Sequence, residues 1–125
     1  MENKTRVLVV DDDPHLRELL KALFEDDHYE VLEAADAATG LDSATQNIPH
    51  LIIVDVLMPR LSGLDFIAGI RTNPAARHVP ILVYSAKHPP DDRRCLELGA
   101  NAYLTKPVDL QVLRRKAKEL LGHPS

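Results

Sequence analysis

Between Val7 and Leu121 the chain repeats one pattern five times: a short apolar run, then a stretch with helical spacing. The runs are Val7–Val10, Tyr29–Glu33, Leu51–Val54, Ile81–Tyr84 and Ala102–Thr105. Three of them, at Val7, Leu51 and Ile81, are continuous rather than alternating, as in strands buried on both faces. The second, YEVLE, carries polar residues and reads as a sheet edge. The first helical stretch follows Asp13–Pro14, a cap followed by proline at the first helical position. Its apolar stripe is Leu16, Leu19, Leu20, Leu23 and Phe24. Asp27 and His28 close it. A second helix spans about Ala37–Gln46 with Ala38, Leu41 and Ala44 inward, and Gly40 in it costs about 1 kcal/mol relative to alanine. A third, capped by Ser62, places Leu64, Ile67 and Ile70 on one face. A fourth runs from about Asp91, after Pro89–Pro90, to Leu98 and ends at Gly99. A fifth, capped by Asp109, buries Leu110, Leu113, Ala117, Leu120 and Leu121 and ends at Gly122.

Strand–helix alternation with connections of a few residues calls for a parallel sheet with helices on both faces. Right-handed crossovers leave few topologies. The expected fold is α/β, a doubly wound (βα)5 domain of the flavodoxin-like kind, with a five-stranded parallel sheet in the order 2-1-3-4-5. All 125 residues fit one domain, 1–125. Strands one and three then lie side by side at the switch point, where such sheets place their sites.

Composition removes several function classes. A formal net charge of −4 argues against direct nucleic-acid binding. No apolar run is long enough to span a bilayer, and the first residues do not resemble a signal peptide. The single cysteine, Cys95, excludes an intramolecular disulfide and fits a reducing compartment, so a cytoplasmic location is expected. Tryptophan is absent, which leaves little to build a base-stacking platform. None of the six histidines pair at metal-ligand spacing.

What remains is chemistry at the strand ends. Strand one ends in Asp11 and Asp12, strand three in Asp55, strand four in Ser85, and strand five just before Lys106. A parallel sheet collects these at one edge. Three carboxylates there repel one another unless a cation is bound or a proton taken up. Oxygen ligands in a partly open pocket suit a hard divalent ion such as Mg2+, with Mn2+ as a substitute. A hydroxyl and an ammonium beside such an ion complete a site for a phosphoryl group, and a carboxylate between them is a competent nucleophile. Asp13 is better read as the helix cap than as a ligand.

The stretches VLVVDDDP, LIIVDVLMPRLSG, VPILVYSAK and AYLTKP, in this order, resemble the receiver domain of two-component response regulators, the CheY-like family. The resemblance implies that Asp55 is the phospho-acceptor. It implies that Asp12 ligates Mg2+ directly, Asp11 largely through water, and the Leu57 backbone carbonyl as a further ligand. Ser85, with Ala86 after it, and Lys106 would bind the phosphoryl group, and the Lys106–Pro107 bond would be cis. Tyr103 matches the family's switch aromatic, or is a half-exposed strand residue. Arg114, Arg115, Lys116 and Lys118 are either a solvated face or part of an output surface built from the fourth helix, fifth strand and fifth helix. The implied partners are a sensor histidine kinase or phosphotransfer protein and an output partner, with a second copy of the chain as a further candidate and no membrane. The domain would catalyse only its own phosphorylation and dephosphorylation.

Three other function classes fit these residues less well. An aspartyl-phosphate hydrolase of the haloacid-dehalogenase kind wants an acid two residues after its nucleophile, where this chain has Leu57. A flavodoxin-like flavin binder must cradle a phosphate in its first loop, and DDDP would repel one. A phosphorylation-independent docking module with the same fold stays open, and the intact acidic set argues against it.

Overall fold

The structure is a computed structural model that describes residues 4–56, 63–86 and 91–123. Five strands, β1 (Arg6–Val10), β2 (Glu30–Ala34), β3 (Leu51–Val54), β4 (Ile81–Ser85) and β5 (Ala102–Thr105), alternate with five helices. The helices are α1 (Pro14–Asp26), α2 (Ala37–Gln46), α3 (Gly63–Thr72), α4 (Asp91–Leu98) and α5 (Leu110–Leu121). All strand pairings are parallel and the order is β2-β1-β3-β4-β5, as the alternation predicts.

The period-two alternation of a strand sorts the sheet's side chains into two cores. Leu8, Val10, Ile52, Val54, Ile81 and Val83 face one side, against Ala37 and Ala44 of α2, Phe66, Ile67 and Ile70 of α3 and Cys95 of α4. Val7, Val9, Leu51, Ile53, Leu82 and Tyr84 face the other, against Leu20 and Phe24 of α1 and Leu113 and Ala117 of α5. This explains the continuous apolar runs: both faces of β1, β3 and β4 are covered. Each fully buried aliphatic side chain contributes about 1.5–3 kcal/mol of transfer free energy. β2 lies at an edge, with Glu30 and Glu33 exposed.

The structure corrects the sequence reading in several places. Leu19 is 54% exposed, so the buried stripe of α1 is Leu20 and Phe24, flanked by half-buried Leu16 and Leu23. The apolar arc of this helix is wider than the surface available to cover it. In α2 the inward residues are Ala37, Gly40 and Ala44, with Leu41 half-buried, and Ala38 is exposed. Gly40 is the reason. A β-carbon there would lie 2.9 Å from Phe66 Cε1 and 3.0 Å from Val10 Cγ2, so glycine lets the helix seat closely on the sheet. The helix-propensity cost at this position is offset by packing. β2 begins at Glu30 rather than Tyr29, β1 takes in Arg6 and β4 takes in Ser85. Asp13 and Asp109 accept N–H bonds from the first turns of α1 and α5, as their cap positions require. Gly99 and Gly122 follow α4 and α5 with positive φ. The cap expected at Ser62, the metal-ligand carbonyl expected at Leu57 and the Pro89–Pro90 restriction lie outside the described residues. Among the described residues no helix is long and apolar enough to cross a membrane.

Candidate functional site: an acidic cluster at the carboxyl edge of the sheet

Strand register assembles the site. Val10 of β1 pairs with Val54 of β3, so Asp11 and Asp55, the next residues, emerge side by side. Ser85 of β4 pairs with Thr105 of β5, and Lys106 follows directly. Each of these residues is tied by its own backbone to the neighbouring strand. The Asp11 N–H donates to the Ala34 carbonyl at 3.0 Å, Asp55 N–H to Val10 at 3.0 Å, and Lys106 N–H to Ser85 at 2.8 Å. Side chains here therefore start from backbone positions that the sheet holds.

Burial singles out the same place. Among the described residues the buried polar or charged side chains are Asp11, Asp55 and Ser85, and Asp55 is 5% exposed. A buried carboxylate is costly unless it is paired. Lys106 Nζ lies 2.8 Å from Asp55 Oδ2 and 3.8 Å from Asp11 Oδ2. Asp12, next to Asp11, is exposed. One carboxylate oxygen from each of Asp11, Asp12 and Asp55 lies within 4.8 Å of the others. Among the described residues, three carboxylates with one ammonium leave a net negative, all-oxygen donor set, with Asp12 its exposed member. Such a set fits a hard divalent cation that keeps part of its water shell.

Tyr84 and Arg17, which the sequence reading did not single out, hold Asp11 together with Asp13. The Tyr84 hydroxyl donates to Asp11 Oδ2, while the Asp13 N–H donates to Asp11 Oδ1 at 2.8 Å. Burial first, and then the Asp11 hydrogen bond, push the Tyr84 phenol far above its ordinary pKa, so it stays a donor. The Tyr84 ring also lies under the Lys106 ammonium, 4.7 Å from the ring centroid to Nζ. Arg17 of α1 donates to the Asp11 carbonyl at 2.6 Å and reaches Glu33 of β2 at 3.3 Å. The signal for Tyr84 was present in VPILVYSAK. A tyrosine inside a strand buried on both faces needs a partner for its hydroxyl. Arg17 gave no such signal, because an arginine in the first turns of a helix is ordinarily solvated.

The remaining residues are placed as follows. The Lys106–Pro107 bond is cis. Ala86 is exposed and lines, with Tyr84, Lys106 and Pro107, an apolar groove of about 500 Å³ between α1 and α5. Tyr103 is half-buried and packs against the core on the α2–α3–α4 side. Gly63, at the start of α3, serves close approach: a β-carbon there would lie 2.3 Å from Val56 Cα, just past Asp55. Of the four basic residues of α5, Arg114 and Lys118 turn to Asp27 and Lys116 to Glu119.

Comparison with known proteins agrees with this geometry. The family model for the response regulator receiver domain matches residues 7–118. The chain is 36% identical over 116 residues to the response regulator PleD of Caulobacter vibrioides, covering 92% of this chain and 26% of PleD. It therefore spans about a quarter of that relative's length. The chemotaxis protein CheY4 of Vibrio cholerae superposes with a TM-score of 0.88 at 28% identity, over 94% of this chain and 99% of that one. The receiver domain of sensor histidine kinase PA1611 from Pseudomonas aeruginosa, solved with a magnesium ion coordinated in its active site cleft, superposes with a TM-score of 0.86. It is 30% identical, over 96% of this chain and 99% of that domain. Strand order, acidic cluster and family match coincide over nearly the whole length, and the chain belongs to the response regulator receiver domain family of two-component signalling.

Proposed function

We propose that the chain is a phosphoacceptor: Asp55 takes a phosphoryl group from the phosphohistidine of a sensor histidine kinase or phosphotransfer protein, with Mg2+ bound. The observation that carries this is Asp55 itself, a buried carboxylate with the Lys106 ammonium at 2.8 Å, in a cluster with Asp11 and Asp12. Asp11, Asp12 and Asp55, together with the Leu57 carbonyl, would hold the ion. When bound, Mg2+ supplies charge neutralisation for the transferring oxygens.

The chain's own residues carry the rest. An Asp55 oxygen attacks phosphorus, the P–N bond of the phosphohistidine breaks, its electron pair returns to the imidazole, and an acyl phosphate forms on Asp55. Lys106, held on the Tyr84 ring, stabilises the anionic oxygens. The Ser85 hydroxyl donates to a phosphoryl oxygen, the chain at Ala86 lies against the group, and Tyr103 reports its arrival to the α4–β5–α5 face. Phosphorylation then biases a two-state surface toward an output partner or a second copy of the chain. The whole of 1–125 acts as one receiver domain, in the cytoplasm, with no turnover activity on other substrates.

Intact mass after incubation with acetyl phosphate and Mg2+ tests this. One phosphoryl is gained by the wild type and none by Asp55→Asn. A wild type that gains none while remaining folded overturns the reading in favour of a docking module that works without phosphorylation.

A further inference from the structure

Tyr84 precedes the proposed switch hydroxyl by one residue, yet it belongs to the opposite face of the sheet, in the core under α1 and α5. It is 1% exposed. Packing alone asks only for its ring. The hydroxyl instead meets Asp11, the most deeply buried acid of the cluster, and the ring face meets Lys106. Asp11 is thus gripped from several directions: Asp13 N–H on one carboxylate oxygen, Tyr84 on the other, and Arg17 on its carbonyl.

We propose that Tyr84 is a positioning residue for the divalent-cation site. Its hydroxyl aims the Asp11 carboxylate, and its ring seats the Lys106 ammonium against Asp55. One side chain thereby links the acids that bind the cation to the lysine that binds the phosphoryl oxygens. The proposal rests on the phosphoacceptor reading for the identity of the cation. Groups that orient a metal-binding carboxylate typically change metal affinity by 10–100-fold when removed.

The two halves of the role separate by substitution. Tyr84→Phe keeps the ring and removes the hydroxyl. Tyr84→Leu removes both. Mn2+ affinity, read by electron paramagnetic resonance of the free ion and by Mg2+ competition, is expected to fall about tenfold in Tyr84→Phe. Labelling by acetyl phosphate at saturating Mg2+ is expected to be slower in Tyr84→Leu than in Tyr84→Phe, because only the former releases Lys106. A purely structural hydroxyl would lower the melting temperature and leave the Mn2+ dissociation constant unchanged, which overturns the hydroxyl's role. Equal labelling rates for the two variants overturn the ring's role. A measurement on the unsubstituted protein covers the case of a variant that does not fold. Of the three tyrosines, Tyr84 should show the largest 13Cζ shift on Mg2+ titration, and a larger shift at Tyr29 or Tyr103 counts against the proposal. If the wild type binds neither Mn2+ nor Mg2+, the phosphoacceptor reading itself fails. If it binds and Tyr84→Phe binds equally well, only the role of Tyr84 fails.

Discussion

At the scale of single residues, the site is a contest between charge repulsion and the donors that hold it together. Among the described residues, Lys106 places its ammonium beside Asp11 and Asp55, and Tyr84 donates its phenol to Asp11. Asp12 is the exposed member of the group, and it adds a third negative charge to it. Asp12→Ala is therefore expected to raise thermal stability in metal-free buffer, by less than about 1 kcal/mol given its exposure. The same change should abolish the gain in stability on adding Mg2+. Unchanged or lower metal-free stability in a thermal melt would refute the crowding. The acids and Lys106 were legible as residues because their positions at strand ends are fixed by where apolar runs stop. Tyr84 was not, because its role depends on which way a strand residue points relative to a partner 73 positions away.

At the scale of elements, the helices were legible as helices but their inward faces were not always. Periodicity places a stripe to within about one residue, and the neighbour's shape decides the rest. Leu19 lost its cover and Ala38 gave way to Ala37 and Gly40 for that reason. Arg71 of α3 shows a further kind of link. Its guanidinium donates to the carbonyls of Gly99, Arg77 and Val79 at 3.0, 2.8 and 2.7 Å, and to Asn101 Oδ1 at 2.9 Å. Partial burial lowers its pKa from the usual arginine value. Hydrogen bonds from a charged donor are worth about 1.5–3 kcal/mol each at most, and they are not additive. Arg71→Met is expected to cost about 2–4 kcal/mol in urea unfolding, by stripping the partners of the turns that lead into β4 and β5. A loss below about 0.5 kcal/mol would show that water replaces the guanidinium without penalty.

At the scale of the whole molecule, α5 closes the fold onto α1 through Asp27. This acid follows the C-terminus of α1, where the helix dipole disfavours a negative charge. Arg114 offsets this with a two-pronged ion pair, one prong at 2.8 Å, and Lys118 lies 3.4 Å away. The Arg114 hydrogen bond holds the Asp27 carboxyl below the usual carboxylate range, against the opposing effect of burial. A depressed folded-state pKa contributes stability that is complete above the unfolded value of about 3.9 and is lost as pH falls through the lower folded value. The stability advantage of wild type over Asp27→Asn should thus be constant above about pH 5 and shrink toward more acid conditions. A pH-independent difference down to pH 2 would rule out the ion pair as its source. The five-fold alternation and the strand order follow from sequence alone, because apolar periodicity, short connections and right-handed crossovers leave almost no other arrangement. The strand-end acids and Lys106 follow for the same reason. Tertiary structure alone decided that Tyr84 holds Asp11 and seats Lys106, that Arg17 braces the Asp11 loop, and that Arg114 and Lys118 turn to Asp27. Each of these depends on where a long side chain ends in space, and local propensity carries no information about a partner brought near only by the folded sheet.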